Sequence, residues 1–187
     1  MKAIIFDIDW VVIKWNSKKH ELIFETIKKY NLDKVDWIKD ILNSWFNRKI
    51  LLEKNYEIHK FDLEKVLEDI NKQQEELEKN AEWNTIVINF IKENKDKFIF
   101  STNTSLPRKS LDIILKQIWL ENNFNEFLAY ENWSKKENIE YILKKYNLKP
   151  EEVLFIDDKI KHIERVKSTN VNLLHYTDYK IDIKDYI

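Results

Sequence analysis

IIFDIDWVV, residues 4–12, is an apolar, largely β-branched run that ends in two carboxylates one residue apart and then meets a tryptophan. Residues 2–8 (KAIIFDI) have the length and continuous hydrophobicity of a parallel strand buried on both faces. In an open α/β sheet, ligands bind beyond the carboxyl ends of the strands, near the point where strand order reverses. Asp7 and Asp9 therefore stand where chemistry is expected. Trp10 does not fit so easily, because a turn beside paired acids favours a residue with little or no side chain.

Working outward, runs of the same kind recur at Phe98 to Ser101 (FIFS), Phe127 to Tyr130 (FLAY), Val153 to Ile156 (VLFI) and Val171 to Tyr176 (VNLLHY). Helical periods separate them at Thr85 to Lys95, Pro107 to Ile118 (with proline placed in the first turn), Ser134 to Tyr146 and Lys159 to Lys167. This alternation predicts an α/β fold with a Rossmann-like parallel sheet covered on both faces. One stretch breaks the rhythm. From about Asn16 to Glu82 only helical patterns occur, at Ser17 to Tyr30, Asp36 to Trp45, Arg48 to Lys60 and Asp62 to Asn80, the last with Leu63, Val66, Leu67, Ile70 and Leu77 turned inward. The pattern predicts an all-α insert directly after the first strand.

The polar residues at the strand ends are Asp7 and Asp9 on the first, Ser101, Thr102 and Asn103 on the second, and Asp157 and Asp158 on the fourth. Lys135 and Lys136 open the helix that precedes the fourth strand. Carboxylates gathered this closely repel one another and take up protons unless a cation joins them. Oxygen donors alone select Mg²⁺, which shares its shell with water and substrate phosphate. The chemistry that fits is phosphoryl transfer: one aspartate attacks phosphorus, a lysine and the metal neutralise the phosphoryl oxygens, and a second aspartate moves protons.

With FDIDWVV, STN, SKKE and FIDD in that order, the chain resembles the haloacid-dehalogenase (HAD) superfamily over essentially its whole length. The resemblance implies a parallel five-stranded core of strand order 3-2-1-4-5, formed by residues 1–15 and 83–187, with a helical cap at 16–82. It makes Asp7 the nucleophile and Asp9 the general acid and base. Thr102 and Asn103 would hold the phosphoryl group together with the motif lysine, which is Lys135 or Lys136, with Lys135 preferred. The cation would be held by Asp7, Asp9 (through its main-chain carbonyl), Asp158 as principal acid and Asp157 in support. A receiver domain uses similar residues on a parallel sheet but lacks an insert after the first strand.

The second aspartate points to phosphatases or phosphomutases of this superfamily rather than dehalogenases. The insert resembles the caps of phosphoglucomutase-like members, in which Arg48 of SWFNRK and His20 would contact substrate. The expectation is a Mg²⁺-dependent phosphatase that acts on a small phosphorylated metabolite through an aspartyl phosphate. The alternatives are a sugar phosphomutase and, if Trp10 is genuine, an inactive phosphate-binding or regulatory protein.

Composition narrows the partners. The 187 residues are 43% hydrophobic and 35% charged with a formal net charge of -1, so neither nucleic acid nor an anionic membrane has electrostatic appeal. No apolar stretch approaches the roughly 20 residues that span a bilayer, and a soluble, cytoplasmic protein is expected. Without cysteine there is no disulfide or thiolate zinc site. Of the four histidines, His59, His162 and His175 are read as packing or surface residues.

The chain contains no glycine and seven tryptophans. An ordinary chain of this length carries about 13 glycines. Lys, Ile and Asn are abundant, as an AT-rich gene would encode, and such a gene should be poor in tryptophan. Trp119, in LKQIWLENNF, follows a helix and precedes an apolar residue, the pattern of a left-handed helix stop. Trp10, Trp83 and Trp133 adjoin the paired acids, the helix leading to the second strand, and the motif lysine; Trp15, Trp37 and Trp45 lie in turn-like contexts. UGA codes for tryptophan in some lineages and glycine in others. The expectation is that these residues are glycines by biology; the alternative is a tryptophan-rich variant whose Trp10 indole blocks the phosphate site.

Overall fold

A computed structural model describes residues 1–14, 18–31, 52 and 61–187. The chain divides into two compact units, Met1–Lys14 with Glu82–Ile187, and Trp15–Ala81.

The first unit is built on β1 (Ala3–Phe6), every residue of which is buried. It pairs in parallel with β4 (Ile99–Asn103) on one side and β6 (Val153–Asp157) on the other. β5 (Glu126–Leu128) and β7 (Asn172–His175) close the two edges, giving a five-stranded sheet. The whole-chain order is β5-β4-β1-β6-β7, because two short strands intervene between the first and second strands of the sheet. Counted along the sheet's own strands, the order is 3-2-1-4-5. Register matters more than order for the chemistry. Thr102 and Ile156 lie level with Phe6, so the carboxyl ends of β1, β4 and β6 finish side by side.

Side chains that alternate along these strands supply two cores. Ala3, Ile5, Val153 and Phe155 pack under α5 (Lys135–Lys145) and α6 (Ile160–Val166) through Ile139, Ile142, Ile163 and Val166. Phe6 and Phe100 stack edge to face at 5.7 Å, and Phe100 lies 6.1 Å from Phe90 of α3 (Thr85–Asn94). Each such ring or branched chain contributes about 1.5–3 kcal/mol by leaving water. α4 (Arg108–Gln117) buries Leu111, Ile114 and Leu115. Pro107 does not enter its first turn as expected: ψ of 148° keeps it extended, and the Glu131 carboxylate accepts the Arg108 N–H in its place.

The second unit holds α1 (Lys18–Lys29) and α2 (Leu63–Lys79), joined through buried Ile27, Leu52, Val66 and Ile70. Asp69 accepts from Lys29 Nζ at 2.6 Å and Tyr30 Oη at 2.7 Å across the pair. The helices expected at 36–45 and 48–60 lie outside the described residues.

Periodicity gave no sign of an antiparallel ribbon between β2 (Ile13–Lys14) and β3 (Glu82–Trp83). Two residues per strand are too few to show a period. Asn84 extends the ribbon by donating its backbone N–H to Val12 O at 2.9 Å and its side-chain amide to Val11 O at 2.8 Å.

The β5 edge is held to α5 by Glu126, which accepts from Lys145 Nζ and, at 2.7 Å, from Tyr146 Oη. Burial pushes the Glu126 carboxyl up, but these donors outweigh it and leave it below its ordinary value. A carboxyl depressed by folding stabilises above its unfolded pKa, and that contribution fades as pH falls through the folded one. Glu126→Gln is expected to cost about 1 kcal/mol at pH 7 in denaturant melts, with the difference shrinking once the pH drops below about 4.

Candidate active site

Asp7 leaves the end of β1 buried, its N–H donating to Ile156 O at 2.8 Å while its Oδ1 accepts from Ile8 N at 2.8 Å. Asp157, level with it on β6, is fully buried. Between them lies the Lys135 ammonium, 3.0 Å from Asp7 Oδ2 and 2.5 Å from Asp157 Oδ2. A capping box at Ser134 and Glu137 starts α5 so that Lys135 is its first residue. Lys136 points elsewhere, pairing at 3.7 Å with Glu140 on the exposed face.

Asn103 is buried at the end of β4. Its amide donates to Lys135 O at 2.9 Å and its carbonyl accepts from Asn138 Nδ2 at 2.9 Å. It fastens the start of α5 to β4 and so positions the lysine. Thr102 is buried, its hydroxyl donating to Leu128 O at 3.2 Å. Asp9 is buried close to Asp7, whose carboxyl it helps to raise. Arg48 and the side chain of His20 lie outside the described residues.

His162 corrects the sequence reading. It is neither a surface nor a packing residue: Nδ1 lies 3.1 Å from both carboxylate oxygens of Asp157. His175 likewise lies against the motif, Nε2 donating to Asp158 O at 2.8 Å. Asn138 was missed as well. The available signals were helical phase and position, since Asn138 sits three residues after Lys135 and His162 in the first turn after the paired acids.

The electrostatics are uneven. Burial raises the Asp7 carboxyl above its usual range, opposed by Lys135 and reinforced by Asp157 and Asp9. Asp157 is also pushed up by burial, but Lys135 and His162 bring it down to about 2. Burial, then the charges of Asp7 and Asp157, push Asp158 up to about 7. For Lys135, burial works against the charge, yet Asp7 and Asp157 outweigh it and raise its pKa.

The four carboxylates are thus met by the Lys135 ammonium, by His162 at Asp157 and by Lys159 at Asp158. The buried Oδ1 of Asp158 has no hydrogen-bond partner, and an orphaned carboxylate oxygen among acids is what a hard cation would satisfy. Asp7, Asp157 and His162 also offer atoms within 4.8 Å of one another. Two of that trio, Asp7 and Asp157, already hold the lysine ammonium, and the imidazole of the third is a poor partner for Mg²⁺. The oxygen set of Asp7 and Asp158 fits the ion better. Beside Asp158 opens a cavity of about 320 Å³, lined by Trp10, Tyr176, Thr177, Asp178 and Tyr179.

Residues 4–175 match the family model for haloacid dehalogenase-like hydrolases. The chain belongs to that family. No curated protein matches it closely enough to count as a relative. Among solved structures, the hydrolase is similar to a predicted phosphoglycolate phosphatase from Haemophilus somnus, with TM-score 0.74 and 17% identity over 99% of this chain and 90% of that one. It is also similar to a putative β-phosphoglucomutase from Thermotoga maritima (TM-score 0.70, 19% identity, 92% and 84% covered) and to a β-phosphoglucomutase from Clostridium difficile (0.70, 16%, 98% and 87%). At such identities these likenesses speak for the fold. Among the described residues, no helix is long and apolar enough to cross a membrane.

Proposed function

We propose that this hydrolase removes phosphate from a small phosphorylated metabolite, with Asp7 as nucleophile. The observation that carries the reading is the part-buried Lys135 ammonium held between Asp7 and Asp157, beside an Asp158 oxygen with no partner. A lysine fixed there screens the repulsion between an anionic nucleophile and an anionic phosphoryl group. An Asp7 carboxylate oxygen attacks phosphorus, and the P–O bond to the alcohol breaks while Asp9 gives that oxygen a proton. Water, losing a proton to Asp9, then displaces Asp7 and frees phosphate. Asp7, Asp158 and the Asp9 carbonyl would hold Mg²⁺, which supplies charge neutralisation at the phosphoryl oxygens. Thr102 of β4 would bind the phosphoryl group by releasing its hydroxyl from Leu128 O, and residues 16–82 would act as the cap that selects substrate.

Phosphate release from an aryl phosphate, with and without Mg²⁺, tests the proposal; no release with Mg²⁺ from either the chain as written or Trp10→Gly would refute it. The comparison also addresses the inactive reading, which the Trp10 indole lining the cavity favours. Cation binding should be proton-linked. Because Asp158 sits near 7, Mg²⁺ displaces its proton below that pH, so affinity is expected to rise up to about tenfold per pH unit from 5 to 7 and level off above. Calorimetry in two buffers of different ionisation enthalpy would count the proton released.

A further inference from the structure

Five described residues have positive φ: Trp10 (64°), Asn31 (57°), Trp119 (58°), Asn147 (49°) and Asn170 (57°). Asparagine is the residue with a Cβ that tolerates this region best, through hydrogen bonds of its short side chain to nearby backbone. Tryptophan has no such recourse, and its Cβ meets the following carbonyl. Left-handed positions among the described residues are therefore filled by the second-best residue three times and by one of the least suited twice.

Helix ends supply an internal control. After α5, the N–H of Asn147 donates to Lys144 O and that of Leu148 to Leu143 O. After α4, the N–H of Trp119 donates to Lys116 O and that of Leu120 to Leu115 O. Both are Schellman stops with the left-handed residue at the same place, which glycine occupies most often. Trp119 gains nothing there, since it is 76% exposed. At Trp10 the chain folds back on itself, Val12 N and Ile13 N both donating to Ile8 O, and the indole stands in the wall of the cavity beside Asp158.

We infer that the residue native to positions 10 and 119 is glycine, and that the seven tryptophans are UGA codons which the source cell reads as glycine. Zero glycines among 187 residues is the count such a misreading leaves when this gene uses none of the other glycine codons, and the two backbone sites show where a Cβ is least welcome. Trp83 and Trp133 have no positive φ and follow from the shared codon alone. With glycine at 10, the indole leaves the wall of the cavity beside Asp158.

Tandem mass spectra of the protein isolated from its own cells decide the matter. Peptides spanning residues 10 and 119 are expected to carry glycine masses; a tryptophan mass at either overturns the inference. A second measurement needs no native material. In the recombinant chain, Trp119→Gly and Trp119→Asn should each raise Tm by about 3 °C by relieving the left-handed Cβ. Asparagine serves as the control because it adds no glycine-like freedom to the unfolded chain. A fall in Tm for both variants would count against glycine at 119.

Discussion

Asp7→Asn is expected to lower phosphate release by at least about a thousandfold while making the metal-free protein melt at a higher temperature. The two effects share one cause. Asp7 is buried with Asp157 and Asp9 around it, so its carboxyl lies above the ordinary value in the folded chain. A raised carboxyl favours folding below its unfolded pKa and loses that advantage as pH climbs through the folded pKa. At pH 7 the Asp7 carboxyl therefore opposes folding, and the neutral amide, similar in shape, removes the opposition. Lys135 keeps Asp157 as partner in the variant. Melting curves without metal from pH 5 to 8 check the stability arm, and kcat with Mg²⁺ checks the other. A variant that is both inactive and less stable would show that Asp7 serves the fold instead of reacting.

Lys135→Met should have the opposite effect on stability. It leaves Asp7 and Asp157 buried together with their cation gone, a situation that costs about 3–5 kcal/mol. In a chain of this length that amounts to a Tm lower by about 6–20 °C. The deficit should narrow as pH falls, because Asp157, held down to about 2 by Lys135 and His162, becomes easier to protonate once the ammonium is removed. Added Mg²⁺ should also narrow it, since a divalent ion can stand in for part of the missing charge. Lys136→Met provides the comparison: its exposed pairing with Glu140 predicts a change within about 0.5 kcal/mol. Equal losses for the two variants would contradict the geometry described for Lys135.

The parallel sheet and its helices were legible because β1, β4 and β6 are buried on both faces, which leaves continuous apolar runs between periodic helices. The acids were legible because they interrupt those runs at the end where register aligns them. Orientation within the site was not. Asn103 reads as a polar strand-end residue whether its amide faces a ligand or the start of a helix, and only packing against Asn138 decides. His162 is a lone histidine in sequence; its meaning depends on α6 beginning two residues after Asp158. The Lys135 and Lys136 doublet is symmetric as text and becomes unequal only when the capping box fixes the helix start. The β2–β3 ribbon is too short for any pattern to announce.

That ribbon has a consequence for how such chains can be rearranged. Lys14 pairs with Glu82 and Ile13 with Trp83, so the chain leaves the sheet-bearing unit and returns to it at adjacent points. An excursion that begins and ends on one rung is a cassette. Joining Lys14 to Glu82 through an Asn-Gly turn would convert the ribbon into an ordinary hairpin. The hairpin would close a short loop in place of a long one, so less chain entropy would be lost on pairing. Recombination at this rung would exchange the segment between the two strands for another without disturbing the strands that carry the acids.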